Sequence, residues 1–253
     1  MRAFPQVSVV MPVFNGERFI SASIESVLTQ SFDNWELIVS DDASSDATRD
    51  IVAVFADQDS RIRLVTSERQ SGPGAARNRA ISVARGRWLA FLDSDDRWLP
   101  DKLALTLELA KDRGSGLTFT SYRRALAPDW KLGREIRVPL RVTYKQLLRS
   151  NVIATSTVLI DTQLVPKVVM NEQETYDDYI AWLEILRPGR VACGLQQPLT
   201  IYRKGHQSYS AKKLKLSTEV LKIFVDVERL SRPQVAWYFS NYAVRGALKH
   251  LFR

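Results

Sequence analysis

Residues 7–42 read VSVVMPVFNGERFISASIESVLTQSFDNWELIVSDD. A run dense in β-branched side chains, Val7 to Met11, leads into Asn15-Gly16. Apolar residues at helical spacing follow over Arg18 to Thr29, and a second β-branched run, Glu36 to Ser40, ends in Asp41-Asp42. Strand, turn, helix and strand in that order make one βαβ unit. The rhythm then repeats. Ile62 to Thr66, Trp88 to Leu92 and Leu117 to Thr120 read as further strands. Asp46 to Phe55, Gly74 to Ala84 and Pro100 to Arg113 read as helices, with Pro100 suited to a helix start. Alternation of this kind predicts an α/β, Rossmann-like domain: a mostly parallel sheet with helices on both faces and its ligand beyond the carboxyl ends of the strands. The polar clusters Asn15-Gly16, Asp41-Asp42 and Asp93-Ser94-Asp95-Asp96 all fall at those ends.

From about Ser121 the rhythm changes. Tyr122 to Val142, rich in Arg and Pro, reads as an irregular excursion. A short helix near Tyr144 to Arg149, a strand at Thr157 to Ile160 and a helix from Tyr179 to Leu186 follow it. Leu214 to Arg253 is helical in pattern and broken at Pro233. These shifts divide the chain into residues 1–120, 121–210 as a lobe packed on the first half, and 211–253 as a helical tail.

With 253 residues, 45% hydrophobic and 25% charged, the composition is that of a globular chain able to bury a large core. No apolar run approaches the roughly 18 to 20 residues of a membrane span, and Met1-Arg2-Ala3 runs straight into a strand, so a cytosolic protein is expected. The single cysteine, Cys193, fits a reducing compartment and excludes a cysteine-rich zinc cluster. Charge is unevenly placed. Residues 202–253 hold 11 Lys and Arg against 3 Asp and Glu, which accounts for the whole net charge of +8. Such a tail suits a polyanionic partner, namely phospholipid headgroups, a pyrophosphate-linked substrate or nucleic acid, and equally a solvated basic helix.

Carboxylates gathered at the mouth of a parallel sheet repel one another, and a divalent cation resolves the repulsion. Asp93 and Asp95, at i and i+2, form an oxygen-rich site with few protein ligands, as Mg²⁺ or Mn²⁺ bridging phosphate oxygens prefers. Taken alone, an acidic triplet is as readily a turn or cap, with Asp96 closing the turn before Pro100.

Taken together, Val7-Ser8-Val9-Val10-Met11-Pro12-Val13-Phe14-Asn15-Gly16, Ser40-Asp41-Asp42-Ala43-Ser44-Ser45-Asp46-Ala47-Thr48, Gly74-Ala75-Ala76-Arg77-Asn78-Arg79-Ala80 and Phe91-Leu92-Asp93-Ser94-Asp95-Asp96 resemble the family-2 glycosyltransferases of GT-A fold. The resemblance is dense over residues 6–115 and looser over 150–210. It implies inverting transfer of a sugar from a nucleotide sugar, of the kind used in bacterial polysaccharide synthesis, with Mn²⁺ or Mg²⁺ as cofactor.

By position, the resemblance puts Pro12, Val13, Phe14, Glu17, Asp42, Arg77, Asp93 and Ser94 at the nucleotide. Phe14 would stack on uracil, Asp42 would accept the imide hydrogen and Asp93 would hold the ribose. Phe14 as a core aromatic, Asp42 or Asp41 as a turn residue, and Arg77 as an idle helix-surface residue are the alternatives. Asp95 would ligate the metal, and His206, in Tyr202-Arg203-Lys204-Gly205-His206-Gln207-Ser208-Tyr209-Ser210, would complete its site. Tyr176-Asp177-Asp178-Tyr179 fits the frame of the family's acidic pair at a helix start, with Asp177 in place of Glu and Asp178 as the base that deprotonates the acceptor. Ordinary compensation of a helix dipole is the competing reading of that pair.

The implied partners are a UDP-sugar donor and a glycan or polyprenyl-pyrophosphate-linked acceptor. The aromatic and basic residues beyond Gln234, with Arg245, Lys249 and Arg253 at i, i+4 and i+8, suit either an anionic membrane surface at the inner face of the membrane or packing on the catalytic lobe or in a homodimer. Rival classes fare worse. The Gly72-Pro73-Gly74 run follows the third strand rather than the first, unlike a dinucleotide fingerprint. Arg97 stands where an aspartyl-phosphate phosphohydrolase has Thr or Val. No motif supports nucleic-acid binding. A non-catalytic nucleotide-binding module with a basic tail is the remaining alternative.

Overall fold

The computed structural model describes residues 4–126, 130–172, 176–204 and 213–251. In chain order the elements are β1 (Val7–Val13), α1 (Ile20–Leu28), β2 (Trp35–Asp41), α2 (Thr48–Gln58), β3 (Ile62–Thr66), α3 (Pro73–Ser82) and β4 (Trp88–Phe91). There follow β5 (Arg97–Trp98), α4 (Lys102–Arg113), β6 (Leu117–Leu126), β7 (Lys131–Ile136), β8 (Arg141–Thr143), α5 (Tyr144–Arg149) and β9 (Leu159–Asp161), the last preceded by a 3₁₀ turn at Thr155–Thr157. The chain ends with α6 (Asp177–Leu186), β10 (Val191–Lys204), α7 (Lys213–Lys222), a π turn at Ile223–Val227 and α8 (Arg232–Leu251).

One sheet carries the whole molecule, in the order β3-β2-β1-β4-β9-β6-β10-β5, with β7 on β6 and β8 on β10. The first four strands are parallel, as the βαβ rhythm predicts, and β9 joins β4 and β6 antiparallel to both. The second half is therefore not a separately packed lobe, because β6, β9 and β10 extend the same sheet. The expected excursion over Tyr122 to Val142 is also corrected. β6 runs on to Leu126 and turns back as β7, and β8 pairs with β10. Arginines dominate this hairpin because its outer face is solvated, and that polarity hid the strand pattern.

Strand alternation divides the core. Val7, Val9 and Met11 of β1 face α1, α2 and α4, while Val10 faces the side covered by α3, α5 and α6. Lys102 of α4 is fully buried in this packing. Its Nζ donates to the Val158 carbonyl at 3.3 Å and sits 4.0 Å from the centre of the Trp98 ring, and burial pushes its pKa down to about 7. On the other face Trp182 meets Phe91 edge-on at 5.6 Å.

The break in the tail falls at the π turn and the residues before Ser231, with Pro233 at the start of α8 rather than inside a helix. Val235, Tyr238, Phe239 and Tyr242 of α8 pack on the core, with the Tyr242 ring 6.4 Å from that of Tyr179 in α6. Glu228 fixes the approach by accepting from Arg187 at 2.7 Å and from the Tyr144 hydroxyl. Most of the aromatic side chains described in the tail are thus packed against the core. Trp237 and Val244 stay 59% and 57% exposed. The side chains of Arg245 and Lys249, and all of Arg253, lie outside the described residues.

Candidate active site

Two loops close the mouth of the sheet after β1 and β2. The Asn15 amide donates to Ser44 Oγ at 2.9 Å, the Gly16 amide to Thr48 Oγ1 at 2.8 Å and the Glu17 amide to Asp46 Oδ2 at 3.1 Å. Glu17 returns a carboxylate oxygen to the Ala47 amide at 3.0 Å, so its charge sits at the start of α2. Pro12 and Val13 are buried at the end of β1, and the Val13 carbonyl accepts from the Asp42 amide at 2.8 Å. Phe14, 44% exposed, is no core residue and stands at the rim of the mouth.

Asp41 and Asp42 are both buried, and donors of the protein itself hold both carboxylates. Asp41 Oδ2 accepts from the Ser44 amide at 3.1 Å and from Arg49 Nε at 2.6 Å, the turn role that either aspartate was expected to fill. Among the described residues its Oδ1 has no hydrogen-bond partner. Asp42 Oδ2 accepts from the Ser71 and Gly72 amides at 2.9 and 2.7 Å, and Arg79 reaches Oδ1 at 3.4 Å. Gly72 adopts φ +91°, which side chains other than glycine's rarely allow, and so presents its amide to Asp42.

The loop after β4 holds the remaining charge. Asp96 is buried, accepting from Ser156 Oγ at 2.6 Å and from the Arg203 amide at 2.8 Å. Burial, then the charges of Asp95 and Asp93, raise its pKa well above the ordinary carboxylate value. Asp95 is shifted the same way by burial and by Asp93, against the pull of Arg203, whose Nε donates to Asp95 Oδ2 at 2.9 Å. The carbonyl of Ser94 accepts from Ser23 Oγ at 2.8 Å, pinning the loop to α1.

Arg77 is no idle surface residue. Its side chain is 7% exposed, and its two terminal nitrogens reach Asp93 Oδ1 and Asp177 Oδ2, each at 2.5 Å. The fold thereby brings the acidic loop of β4 and the acidic start of α6 to one guanidinium. Gly74, one turn earlier, permits this approach: a Cβ there would lie 2.4 Å from the Asn171 carbonyl and 3.1 Å from Asp177 Cβ. Asp178 accepts from Thr155 Oγ1 at 2.5 Å and from the Tyr179 amide at 2.6 Å. Burial, then the neighbouring charge of Asp177, raise its pKa to about 6.

His206 lies outside the described residues. Among those described, no three His, Cys, Asp or Glu side chains converge on one point. Asp93 and Asp95 nevertheless fit a hard divalent cation that takes most of its oxygens from a diphosphate. They are carboxylates, and Asp95 in particular has its proton affinity raised by a like charge that a cation would relieve. Arg203 and Ser156 were not singled out in the sequence. The basic end of β10 does mark Arg203, whereas nothing local marks Ser156, which matters only because its turn packs against the β4 loop.

A half-parallel sheet with an acidic loop after its fourth strand, facing a second acidic pair across a buried arginine, has the architecture of the GT-A glycosyltransferases. Glycosyl transferase family 2 matches residues 8–161, and the chain belongs to that family. It is 36% identical to TuaG of Bacillus subtilis, a glycosyltransferase assigned to teichuronic acid biosynthesis, over 98% of each chain. It is 37% identical to the Escherichia coli UDP-Glc:alpha-D-GlcNAc-diphosphoundecaprenol beta-1,3-glucosyltransferase WfgD, over 97% of this chain and 95% of that one.

Among solved structures, S. aureus TarS in complex with UDP-GlcNAc superposes with a TM-score of 0.71 at 18% identity, over 94% of this chain and 71% of that one. The Pyrobaculum calidifontis mannosyltransferase PcManGT, in complex with GDP-Man and Mn²⁺, gives 0.69 at 18% identity, over 98% and 76%. At such identities the likeness is one of fold. No helix among the described residues is long and apolar enough to cross a membrane.

Proposed function

We propose that this glycosyltransferase moves a sugar from a UDP-sugar to a hydroxyl of a glycan carried on a polyprenyl diphosphate, with inversion at the anomeric carbon. The observation that carries this reading is the Arg77 bridge, which sets the Asp178 end of α6 beside the Asp93–Asp95 loop. In this reading residues 1–120 hold the nucleotide sugar, 121–210 the acceptor and the base, and 211–253 meet an anionic membrane surface. The lipid-linked acceptor is favoured by the likeness to WfgD over nearly the full chain.

The uridine ring would stack on Phe14 between the ends of β1 and β2, with Pro12 and Val13 beneath it and Asp42 reading the imide. Asp93 and Ser94 would meet the ribose and diphosphate. A divalent ion, Mn²⁺ or Mg²⁺, held through Asp95 with His206 as a further ligand, would neutralise the diphosphate as it leaves. The acceptor oxygen attacks the anomeric carbon opposite the departing diphosphate, and Asp178 takes its proton. The new C–O bond forms as the old one breaks, and its electron pair leaves on the diphosphate. One displacement inverts the centre, and no protein nucleophile is needed.

A screen of UDP-sugar hydrolysis by the purified protein, followed by NMR of the released sugar's first-formed anomer, tests the reading. The inverted anomer is expected, from a UDP-sugar and only with divalent metal. Release of the retained anomer, or equal use of GDP-sugars, overturns it. Asp178→Asn is expected to keep UDP binding and lower turnover by about 10² to 10⁴. Asp177→Asn instead weakens the Arg77 bridge and lowers stability as well.

A further inference from the structure

We infer that Thr155 is the positioning residue of the reaction, the side chain that orients the Asp178 carboxylate toward the acceptor and holds it in its proton-accepting form. This rests on the reading of Asp178 as the base. Thr155 opens the 3₁₀ turn before β9 and is itself buried. Its hydroxyl donates to Asp178 Oδ2 at 2.5 Å, while the Tyr179 amide donates to Oδ1 at 2.6 Å. With one donor on each oxygen the carboxylate plane is fixed, yet each oxygen keeps a lone pair for an incoming proton. A hydroxyl that donates to the ionised form favours that form, against the burial and the Asp177 charge that oppose it.

The same three residues reach the donor side. Ser156 Oγ donates to Asp96 at 2.6 Å and accepts from the Asp93 amide at 3.1 Å, and its carbonyl accepts from Trp98 Nε1 at 2.7 Å. Two consecutive side chains, Thr155 and Ser156, therefore tie the base to the loop that would hold the diphosphate. A shift of the turn would move the attacking and leaving ends relative to each other. Among the described residues, no other side chain donates a hydrogen bond to Asp178. Arg77 of α3 acts on it through charge while bonded to Asp93 and Asp177, and Tyr176 and Tyr242, the latter from α8, have hydroxyls held strongly protonated by burial.

The test is the pH dependence of turnover, read as UDP released at saturating UDP-sugar with Mn²⁺, for wild type, Thr155→Val, Thr155→Ala, Thr155→Ser and Asp178→Asn. Wild type is expected to lose turnover below about pH 6 as Asp178 protonates. Valine and alanine should each move that acid limb upward by about one unit, roughly a fivefold loss at pH 6 that approaches tenfold at lower pH, with KM for the donor unchanged, because well below the pKa a one-unit shift is about a tenfold change in the ionised fraction. Serine, which keeps the hydroxyl, should restore the limb. An unmoved limb in both Thr155→Val and Thr155→Ala, or a Thr155→Ser variant as impaired as Thr155→Ala, overturns the role of Thr155 while an inactive Asp178→Asn leaves the base in place. Retention of turnover and of the limb by Asp178→Asn overturns the base assignment itself, and the Thr155 proposal with it.

Discussion

Arg77 and Asp177, a hundred residues apart in the chain, meet in a buried ion pair with Nη1 and Oδ2 2.5 Å apart, and the other arm of the same guanidinium holds Asp93. Against burial, which disfavours its charge, the Asp93 and Asp177 carboxylates raise the arginine's own pKa further, so it is charged at every accessible pH. Removing one partner of a buried pair leaves charge unpaired and costs about 3 to 5 kcal/mol. Arg77→Met is therefore expected to lower unfolding free energy by that amount in denaturant titration and to abolish turnover. Arg77→Lys, with one compact ammonium in place of a fork, should fold better but lose turnover almost as fully. A stable, active Arg77→Lys enzyme would show that bridging both carboxylates is unnecessary.

Asp42 presents a different case, because its carboxylate already accepts two backbone amides from the loop before α3. In Asp42→Asn the amide nitrogen must face either those amides or the uracil imide, donor against donor. UDP affinity measured by calorimetry should fall by about 1 to 3 kcal/mol, the worth of a lost charge-assisted bond. Unchanged affinity would confine Asp42 to holding the loop.

How much of this could be read in advance differs element by element. The β1 to α4 half was legible because β1, β2 and β3 are rich in β-branched residues and each is followed by a helix with apolar residues at helical spacing, and the carboxyl ends of parallel strands collect polar residues by construction. β7 and β8 were not legible, since KLGREI and RVT lie at the sheet margin and have no apolar face long enough to show a period of two. Asp178 was found by frame alone. The partner that holds it, Thr155, lies 23 residues earlier in a turn with no local signature. Arg77 could be placed near the nucleotide but not between two acids, because that depends on α3 and α6 touching at Gly74.

Asp95 is currently balanced by Arg203, whose guanidinium also lies 4.3 Å from the Phe19 ring. Asp95→Ala should remove metal-dependent UDP binding and turnover with little loss of stability, as a half-buried carboxylate on the loop after β4 contributes little to the apolar core. Thermal melting with and without UDP and Mn²⁺ separates the two effects. A metal-dependent rise in melting temperature that survives in Asp95→Ala would assign the ion elsewhere.

Lys102 gives the fold a pH dependence of its own. Its pKa falls to about 7 on folding because burial disfavours the charged amine, so between about pH 7 and pH 10 the unfolded chain binds a proton that the folded chain has released. Stability from this group therefore rises with pH across that window, and the full penalty is felt below it. Lys102→Met, similar in size and without the charge, should be more stable than wild type at pH 6, with the advantage shrinking by pH 9. Parallel melting curves at the two pH values decide it, and an advantage independent of pH would mean that the amine keeps its proton in the folded protein up to pH 9, as it does in the unfolded chain.

The tail prediction must respect the division the fold makes within α8. Tyr238 and Tyr242 pack against Phe224, and Tyr242 also lies 6.4 Å from Tyr179 of α6, so deleting residues 234–253 would strip part of the core and confuse loss of membrane binding with loss of structure. Trp237 and Val244 point away and are exposed, seven positions apart and hence on one side of the helix. They are the residues to change. If the tail lies on an anionic surface, with each nearby basic residue contributing roughly 1 kcal/mol, wild type should float with vesicles containing phosphatidylglycerol and far less with phosphatidylcholine alone. Trp237→Ser with Val244→Ser should abolish flotation while UDP binding and melting temperature stay at wild-type values. Equal recovery from both vesicle types ends the membrane assignment. Should the double variant instead turn a dimer into a monomer by sedimentation, with no vesicle binding in either form, the exposed side of α8 belongs to a second copy of the chain.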